Sequence, residues 1–392
     1  MEAALRTIHL WSRFVNFQQD WSGPDFQQRL REGEPAFRLS AEALSRRLVM
    51  SEEMSPEDRT KFSTSLNFLQ LHRQALIKEY ATGHLDVLEL RAEVQSTLSI
   101  SKLIELINSG SDSHFDGRRR FEAVSMLDIA TFMLAIDQDD SNKNVGRDLN
   151  RLLELLDAHL FASESRTVTV WTRHDPADHY RVKEVSAIDV GFTGSQQNVR
   201  RNGITCRQLN TGGLVLVHER SKYSFDTWRK IQRQLVENQS DPFLVGDRCG
   251  IKFVVPSKSD AHALAERIQE IGARIGAEVG PFQGNLSGNG RMDNGNKLSS
   301  PFFRAIKSQV VWGPHSYRRH YEIQIVPFLD YFSSRFALNE ENHDLYKLRQ
   351  CIEVFFPLLF PLRIYGINWR NHKVREPLFR AKTQQLGWSV KK

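Results

Sequence analysis

Hydrophobic residues recur at helical spacing over roughly the first 160 residues of the chain. One helix start is marked by Ser as N-cap, Pro at the first helical position and two acids near the positive end of the helix dipole, in Ser55-Pro56-Glu57-Asp58. The residues behind it place one apolar face at helical spacing and predict a long helix to about Tyr80: Phe62, Leu66, Leu69 and Leu76. Further helical patterns cover about 86–108, 118–137 and 146–161. The sequence therefore predicts an all-helical N-terminal domain over 1–162.

From about Arg166 the pattern changes to short runs rich in β-branched and aromatic residues, which predicts strands. The expected strands are 167–172, 180–190, 213–218, 250–255, 304–312 and 319–326. Helices are expected over 225–237 and from the capping-box spacing of Ser257-Lys258-Ser259-Asp260 to about residue 275. This mixture predicts an α+β domain over 163–335, with a mixed β-sheet flanked by helices.

Glycine-containing polar stretches separate these elements. Two are predicted as links, Thr193-Gly194-Ser195 and Asn202-Gly203. A third, 284–298, is so rich in Gly and Asn that a mobile loop over a substrate is expected. The chain returns to a helical pattern over 336–392, which completes a three-domain prediction.

Length and composition suit a globular protein of two or three domains. The chain has 392 residues, of which 40% are hydrophobic and 26% charged. It contains no run of 18 apolar residues and does not begin with a secretion signal, so no membrane association and a cytoplasmic location are expected. The cysteines are three in number and far apart, which favours small buried hydrophobes over disulfides or a metal site: Cys206, Cys249 and Cys351.

Positive charge is concentrated at the C-terminal end of the chain. Residues 361–392 contain eight cations against the single acid Glu376. Aromatic residues are interleaved with these charges: Tyr365, Trp369, Phe379 and Trp388. Such a basic helical tail suits an RNA or single-stranded partner through phosphate contacts and base stacking. The alternative is a solvated terminal helix whose aromatic residues cover the core.

The densest group of candidate chemistry lies at the end of a predicted strand and on the helix that follows. Four cations fall within eleven residues there: Arg220, Lys222, Arg229 and Lys230. Converging cations of this kind suit a polyphosphate. Two carboxylates follow on strand-like segments, Asp247 and Glu322. Cations for phosphate and two acids for a metal indicate nucleotide chemistry.

The order and spacing of these residues resemble the synthetase domain of RelA/SpoT-type alarmone synthetases, over about 213–327. In that family a strand ends in Arg-x-Lys, an Arg-Lys pair follows on the next helix, an Asp precedes the next strand, and Glu-Ile-Gln-Ile ends the set. The matching pieces here are Arg220-Ser221-Lys222, Arg229-Lys230, Asp247 and Glu322-Ile323-Gln324-Ile325. The resemblance implies a nucleotidyltransferase-like fold and transfer of the terminal pyrophosphate of ATP to a ribose 3′-hydroxyl.

The resemblance also implies a role for each matching residue. Asp247 and Glu322 would hold Mg²⁺ and act as the catalytic carboxylates, with Glu322 a candidate base for the acceptor hydroxyl. The ATP phosphates would be held by the four cations, Arg220, Lys222, Arg229 and Lys230. The acceptor would be bound by Phe303 as a stacking platform, Lys307 near a phosphate and Gln324 on the same strand face as Glu322.

Several positions depart from the family pattern. Asp226 replaces a small hydroxyl residue, Val326-Pro327 replaces an Arg-Thr pair, and Phe303 and Lys307 stand where the family has Tyr and His. Lys252 stands where the family has Arg, and strand alternation predicts that it faces away from Asp247.

Three functions are compatible with these features. The first is an alarmone synthetase with a guanosine or adenosine nucleotide as acceptor. The second is a toxin-like enzyme that pyrophosphorylates the 3′ end of tRNA, with an antitoxin or regulatory protein as partner, for which the helical N-terminal domain would be the binding element. The third is a non-catalytic nucleotide sensor or RNA-binding module with the same fold.

Overall fold

The computed structural model describes residues 56–97, 99–108, 114–138, 145–162, 165–186, 191–193, 195–236, 245, 247–286, 300, 302–313 and 318–391. The chain forms two compact units. The first contains the described parts of 1–143 together with Tyr223–Arg233 and Gln350–Leu378, and the second contains the remainder. Each unit is discontinuous in sequence, and the three consecutive domains inferred from the sequence remain a prediction.

The structure describes the following helices and strands, each set given in chain order. The helices are α1 (Pro56–Tyr80), α2 (Leu85–Leu88), α3 (Ala92–Gln95), α4 (Ile100–Asn108), α5 (His114–Gln138), α6 (Val145–Leu160), α7 (Ser224–Val236), α8 (Lys258–Arg274), α9 (Phe328–Phe336), α10 (His343–Gln350), a π-helical turn (Cys351–Phe355), α11 (Phe356–Leu359), α12 (Leu362–Tyr365) and α13 (His372–Lys391). The strands are β1 (Arg166–Asp175), β2 (Arg181–Val185), β3 (Val199–Gln208), β4 (Leu214–Ser221), β5 (Cys249–Val255), β6 (Glu278–Val279), β7 (Gln283–Asn285), β8 (Ala305–Trp312) and β9 (Arg319–Pro327).

Most predicted elements are confirmed within the described residues. The helix expected to end near Tyr80 is α1, and its predicted N-cap, Ser55, lies outside the described part of the chain. Ser257 caps α8 as predicted, since its Oγ accepts the Asp260 backbone N–H while Asp260 accepts the Ser257 N–H. The helical prediction for 1–55 and the greater part of the predicted loop 284–298 also lie outside the described residues.

One strand, β3, is not predicted from the sequence because its pattern is polar. Asn202-Gly203, expected to be a link, lies in the middle of β3, where Asn202 pairs with Val170 and Gly203 with Thr169. β3 alternates little between apolar and polar residues, so it lacks the usual strand signal. The antiparallel ladder to β1 supplies the stability that its side chains do not.

The first unit contains a fully buried carboxylate, Glu122 on α5. Its oxygens accept hydrogen bonds from Arg118 Nε, the Tyr365 hydroxyl and the Arg91 backbone N–H, each at 2.9 Å. Arg73 Nη2 donates in turn to the Tyr365 hydroxyl at 2.8 Å. A buried charge is tolerated when it is paired and hydrogen-bonded in this way, so the network connects α5 with α1 and α12 within the unit.

The second unit is built on one open sheet with strand order β2-β1-β3-β4-β5-β9-β8-β6, and β7 pairs with β8 beside β6. The described strands are antiparallel except for β5 and β9, which run parallel. The sheet is therefore mixed and flanked by helices, and the α+β class predicted from the sequence is confirmed.

Two apolar clusters cover opposite faces of this sheet. One packs α6 and α8 against side chains such as Ile251, Phe253 and Ile323. The other packs α9 against Leu216, Val254 and Val326 on adjacent strands. The second face continues into polar side chains toward the start of β5, and this polar part carries the candidate site.

Two expectations from composition can be compared with the described residues. Cys206, Cys249 and Cys351 are all buried free thiols, as predicted. Within the described parts of the chain, no helix is both long enough and apolar enough to cross a membrane.

Candidate functional site

The candidate site is formed by two rows of side chains that run across four neighbouring strands. The first row pairs Arg220 on β4 with Gly250 on β5, Glu322 on β9 and Gln309 on β8. The second row lies two residues away from the first on each strand and holds His218, Lys252, Gln324 and Lys307. Because side chains two residues apart share a strand face, both rows lie on one face of the sheet.

Arg220 bridges the two predicted catalytic carboxylates. Its Nη2 lies 2.8 Å from Glu322 Oε1 and 3.5 Å from Asp247 Oδ2. Asp247 and Glu322 are 75 residues apart in the sequence, so the sheet brings them together on one guanidinium nitrogen. The convergence of two acids that the sequence predicted is thus present in the fold.

Two lysines complete the arrangement around these carboxylates. Lys222 Nζ lies 2.5 Å from Asp247 Oδ2, and Lys307 Nζ lies 3.4 Å from Glu322 Oε2. The Lys222 backbone N–H also donates to the Arg248 carbonyl at 2.8 Å, which fixes the end of β4 beside the segment that carries Asp247. Three cations therefore contact two acids, and the group has excess positive charge that a phosphate can offset.

Gly250 permits the close approach of β5 and β9 at this point. A Cβ atom at this position would lie 2.4 Å from the Glu322 carbonyl oxygen and 3.3 Å from the Glu322 Cβ. A side chain at this position would therefore displace the backbone that carries Glu322. The close approach of the two strands therefore requires a glycine at this position.

Lys252 faces the same side of the sheet as Arg220 and Glu322, and the alternation argument that placed it opposite Asp247 is wrong. Asp247 precedes β5, which begins at Cys249, so strand alternation does not govern its side chain. Burial lowers the pKa of Lys252 to about 8, with a further contribution from the charge of Arg220 and of Lys307, while Glu322 opposes the shift.

The remaining predicted acceptor residues have different surroundings. Gln324 is buried on the same face as Glu322, as predicted. Phe303 is half-buried and packs against the apolar cluster under α9, which leaves its role as a base platform a prediction.

Arg229 and Lys230 lie on the part of α7 that belongs to the first unit. The Arg229 guanidinium stacks over the Phe355 ring at 4.4 Å and lies 3.7 Å from Asp226 Oδ1. Asp226, which departs from the family pattern, therefore forms an ion pair with Arg229. Lys230 is half-buried, and its role in binding ATP stays a prediction.

Two of the tail aromatics are core residues. Trp369 is buried, donates its Nε1–H to the Phe360 carbonyl at 2.8 Å and packs against the Phe356 ring. Tyr365 is buried in the Glu122 network. The core-covering alternative is correct for these two side chains, because neither ring is exposed for stacking on a base.

Sequence reasoning missed two residues of α9, Tyr331 and Arg335, that extend the second row. His218 Nε2 lies 3.1 Å from the Tyr331 hydroxyl, which also accepts a hydrogen bond from Arg335. On α10, desolvation by the surrounding protein, together with the charges of Lys347 and Lys252, lowers the pKa of His343 to about 4.

Comparisons of the chain with protein families, with curated proteins and with solved structures found no match.

Proposed function

We propose that the second unit is an ATP-dependent pyrophosphotransferase that modifies the 3′-hydroxyl of a guanosine or adenosine nucleotide. The observation that carries the proposal is the contact of Arg220 with both Asp247 and Glu322, flanked by Lys222 and Lys307. Acids and cations alternate here within hydrogen-bonding distance of each other. Phosphate groups that enter the site would bind the cations in place of the carboxylates, which leaves Asp247 and Glu322 free for catalysis.

The reaction has a simple atom balance. The acceptor 3′-oxygen forms a bond to the β-phosphorus of ATP, and the bond from that phosphorus to the oxygen shared with the α-phosphorus breaks. AMP leaves with that oxygen, and the hydroxyl proton passes to the Glu322 carboxylate. Arg220 and Lys222 offset the negative charge that grows on the leaving phosphate.

The carboxylates also fit the Mg²⁺ implied by the family resemblance. Asp247 and Glu322 supply hard oxygen donors that converge on one guanidinium nitrogen. Among the described residues, no group of three or more His, Cys, Asp and Glu side chains forms a metal cage. Two carboxylates with substrate oxygens and water form the donor set that Mg²⁺ prefers. When bound, the ion would neutralise charge on the phosphate oxygens.

A nucleotidyltransferase-like fold for this unit is part of the same proposal. It is supported by the mixed sheet, in which β4, β5, β9 and β8 are adjacent and carry the two rows of the site. It is also supported by the position of Asp247 before β5 and of Glu322 within β9.

A free nucleotide is favoured over the tRNA 3′ end as acceptor. The tRNA hypothesis drew on the basic aromatic tail and on Phe303 and Lys307, which stand where the family has Tyr and His. Of the tail aromatics, Tyr365 and Trp369 are buried in the core and are not available to stack on bases. The site itself sits on a sheet face with further cations, Lys252 and Lys307, which suits a compact phosphate-bearing acceptor.

A label-transfer assay tests the proposal. The protein is incubated with γ-³²P-labelled ATP and Mg²⁺, and GDP, GTP, AMP, ATP and deacylated tRNA are offered in parallel. We expect label on a nucleotide with wild-type protein and none with Glu322→Gln. Glu219→Gln is the matched control, because Glu219 is an exposed acid on the opposite face of β4.

The other outcomes of this assay count against the proposal in different ways. Label on tRNA would replace the acceptor with the toxin-like alternative. Binding of ATP without transfer to any acceptor would favour the nucleotide sensor.

A further inference from the structure

A histidine in the second row of the sheet face is connected by hydrogen bonds to two residues of α9. His218 lies on β4 two residues before Arg220, so the two side chains share one face of the strand. Its Nε2 lies 3.1 Å from the Tyr331 hydroxyl, and the two rings stack with their centroids 5.7 Å apart. Arg335 donates a hydrogen bond to the same hydroxyl. We call these three residues of the second unit the Arg-Tyr-His chain.

The direction of each hydrogen bond in the Arg-Tyr-His chain follows from what each group can donate. An arginine side chain has donors and no acceptor, so Arg335 occupies a lone pair of the Tyr331 oxygen. The hydroxyl hydrogen of Tyr331 then needs an acceptor, and within the described residues His218 Nε2 is the one acceptor that lies within hydrogen-bonding distance of it. Because a neutral imidazole has one donor and one acceptor nitrogen, the hydrogen of the His218 ring lies on Nδ1.

The surroundings favour the uncharged form of the His218 ring. Burial, together with the charges of Lys252 and Arg335, lowers the pKa of His218. Lys252 is its partner across the ladder between β4 and β5. Protonation of the ring would also turn Nε2 into a donor, and the Tyr331 hydroxyl hydrogen would then have no acceptor among the described residues.

The other nitrogen of the ring is open to a ligand. His218 is half-buried, and within the described part of the chain no hydrogen-bond partner lies within reach of its Nδ1, which keeps contact with solvent. The row continues with Lys252 and with Gln324, which the sequence predicted to bind the acceptor. The ring therefore presents an uncharged N–H on the sheet face that carries Arg220 and Glu322.

We propose that His218 is a specificity-determining residue whose Nδ1–H donates a hydrogen bond to an oxygen of the acceptor nucleotide. Tyr331 and Arg335 act through His218 as positioning residues, since they fix the nitrogen that carries the hydrogen. A fixed N–H favours a ligand atom that accepts a hydrogen bond, such as a ribose or phosphate oxygen, and disfavours one that donates, such as an amino group. The role of the nucleotide rests on the proposed function, whereas the position of the hydrogen on the ring does not.

Nuclear magnetic resonance reads the position of that hydrogen directly. Long-range proton–nitrogen correlation spectra are recorded near pH 7 on the intact chain labelled with ¹⁵N-histidine, and His218→Gln identifies the His218 signals by their loss. We expect the hydrogen on Nδ1 in wild-type protein. His174 supplies an internal reference, because its Nδ1 lies 3.0 Å from the Tyr180 carbonyl oxygen, which can only accept.

A pair of tyrosine variants tests the positioning role. Tyr331→Phe removes the hydroxyl that binds Nε2 and should give a mixture of the two ring forms at His218. Tyr180→Phe is the matched control, because it removes a hydroxyl of the same unit that forms no part of the Arg-Tyr-His chain, and it should leave the His218 signals as in wild type. A hydrogen on Nε2 in wild-type protein, or an unchanged ring form in Tyr331→Phe, overturns the inference.

Nucleotide titration tests the role of the N–H without any need for catalysis. GDP, GTP and AMP are added separately to the labelled protein in the absence of ATP. We expect at least one of them to shift the His218 Nδ1 signal, because the N–H gains an acceptor oxygen. A signal that none of the three nucleotides moves would contradict the binding role.

Steady-state kinetics separates the contributions of the two ring nitrogens. The amide nitrogen of Asn lies as many bonds from Cβ as Nδ1 does, whereas that of Gln lies as many bonds away as Nε2. We expect His218→Gln to raise the KM for the acceptor about fivefold, the loss expected for one hydrogen bond between uncharged groups, with an unchanged KM for ATP. His218→Asn should restore the acceptor KM toward wild type, and equal values in the two variants would argue against Nδ1 as the donor.

The inference and the proposed function fail in different ways. A His218 signal that shifts with a nucleotide, without label transfer to any acceptor, would sink the proposed function and leave the hydrogen bond from His218 intact. Label transfer with a His218 signal that no nucleotide moves would do the reverse. Circular dichroism of each variant separates these outcomes from loss of fold.

Discussion

Gly250 provides the sharpest test of how the sheet positions Glu322. Replacing Gly250 by Ala would place a Cβ atom 2.4 Å from the Glu322 carbonyl oxygen. An ordinary contact between carbon and oxygen needs about 1 Å more, so β5 and β9 would have to separate locally. The parallel ladder pairs these two strands from Gly250 to Val255, and the separation would strain its first hydrogen bonds.

The expected cost follows from two opposing effects. Overpacking costs about 1–3 kcal/mol, and weakening one or two ladder hydrogen bonds adds about 1 kcal/mol each. Loss of backbone freedom in the unfolded chain works in the other direction by roughly 0.4–1 kcal/mol. We therefore expect Gly250→Ala to lower the free energy of unfolding by about 2–4 kcal/mol. Pyrophosphate transfer should also fall, because the Glu322 backbone moves.

Urea unfolding followed by circular dichroism measures the stability change. Gly203→Ala is the matched control, since Gly203 also lies in a strand of the second unit but has no atom within 4 Å of an added Cβ. The control should unfold within about 0.5 kcal/mol of wild type or be slightly more stable. A Gly250→Ala protein as stable as the Gly203→Ala protein would refute the steric argument.

Two further predictions concern buried carboxylates. Burial raises the pKa of Asp330 to about 6 and that of Glu341 to about 7. Both pKa values lie above the ordinary values of 3.8 and 4.5 that apply to the unfolded chain. The stability that the protonated carboxyl groups contribute is therefore fully present below about pH 3.8 and is lost as the pH rises through 6 and 7. Thermal melts should therefore show lower stability at pH 8 than at pH 5. Glu341→Gln should flatten this pH dependence of stability, whereas Glu340→Gln, at an exposed position, should leave it unchanged. Equally steep pH profiles in the two variants would show that Glu341 is not the source. In the first unit, Glu122→Leu should lower the free energy of unfolding in urea by about 3–5 kcal/mol, because it leaves buried cations unpaired. Glu105→Leu, at an exposed position, should lower it by under about 1 kcal/mol. Similar losses for the two variants would show that the Glu122 network contributes little.

Local signals in the sequence predicted the elements whose stability is local. The capping box at Ser257 and the apolar face of α1 need only neighbouring residues, and both helices form where predicted. β3 was missed because its reason to be a strand lies in β1, about 30 residues away in the sequence, and no pattern within β3 reveals that partner.

In the candidate site, too, single residues marked by a motif were predicted, whereas the strand face that a residue takes was not. The motif resemblance predicted Asp247 and Glu322, and the sheet brings both to Arg220. The face taken by Lys252 could not be inferred from its spacing to Asp247, because the start of β5 at Cys249 decides which residues alternate.

The positions of the tail aromatics depend on tertiary packing. Tyr365 and Trp369 have the composition of a nucleic-acid surface, but their hydrogen bonds to buried groups place them in the core.

Product analysis tests the central claim most directly. The protein is incubated with ATP, Mg²⁺ and the acceptor nucleotide, and the products are separated and weighed by mass spectrometry. The account predicts AMP and an acceptor that carries an added pyrophosphate, in equal amounts, with neither formed by Glu322→Gln and both formed by Glu219→Gln. Release of ADP instead of AMP, or equal AMP formation by Glu322→Gln, would contradict pyrophosphate transfer at this site.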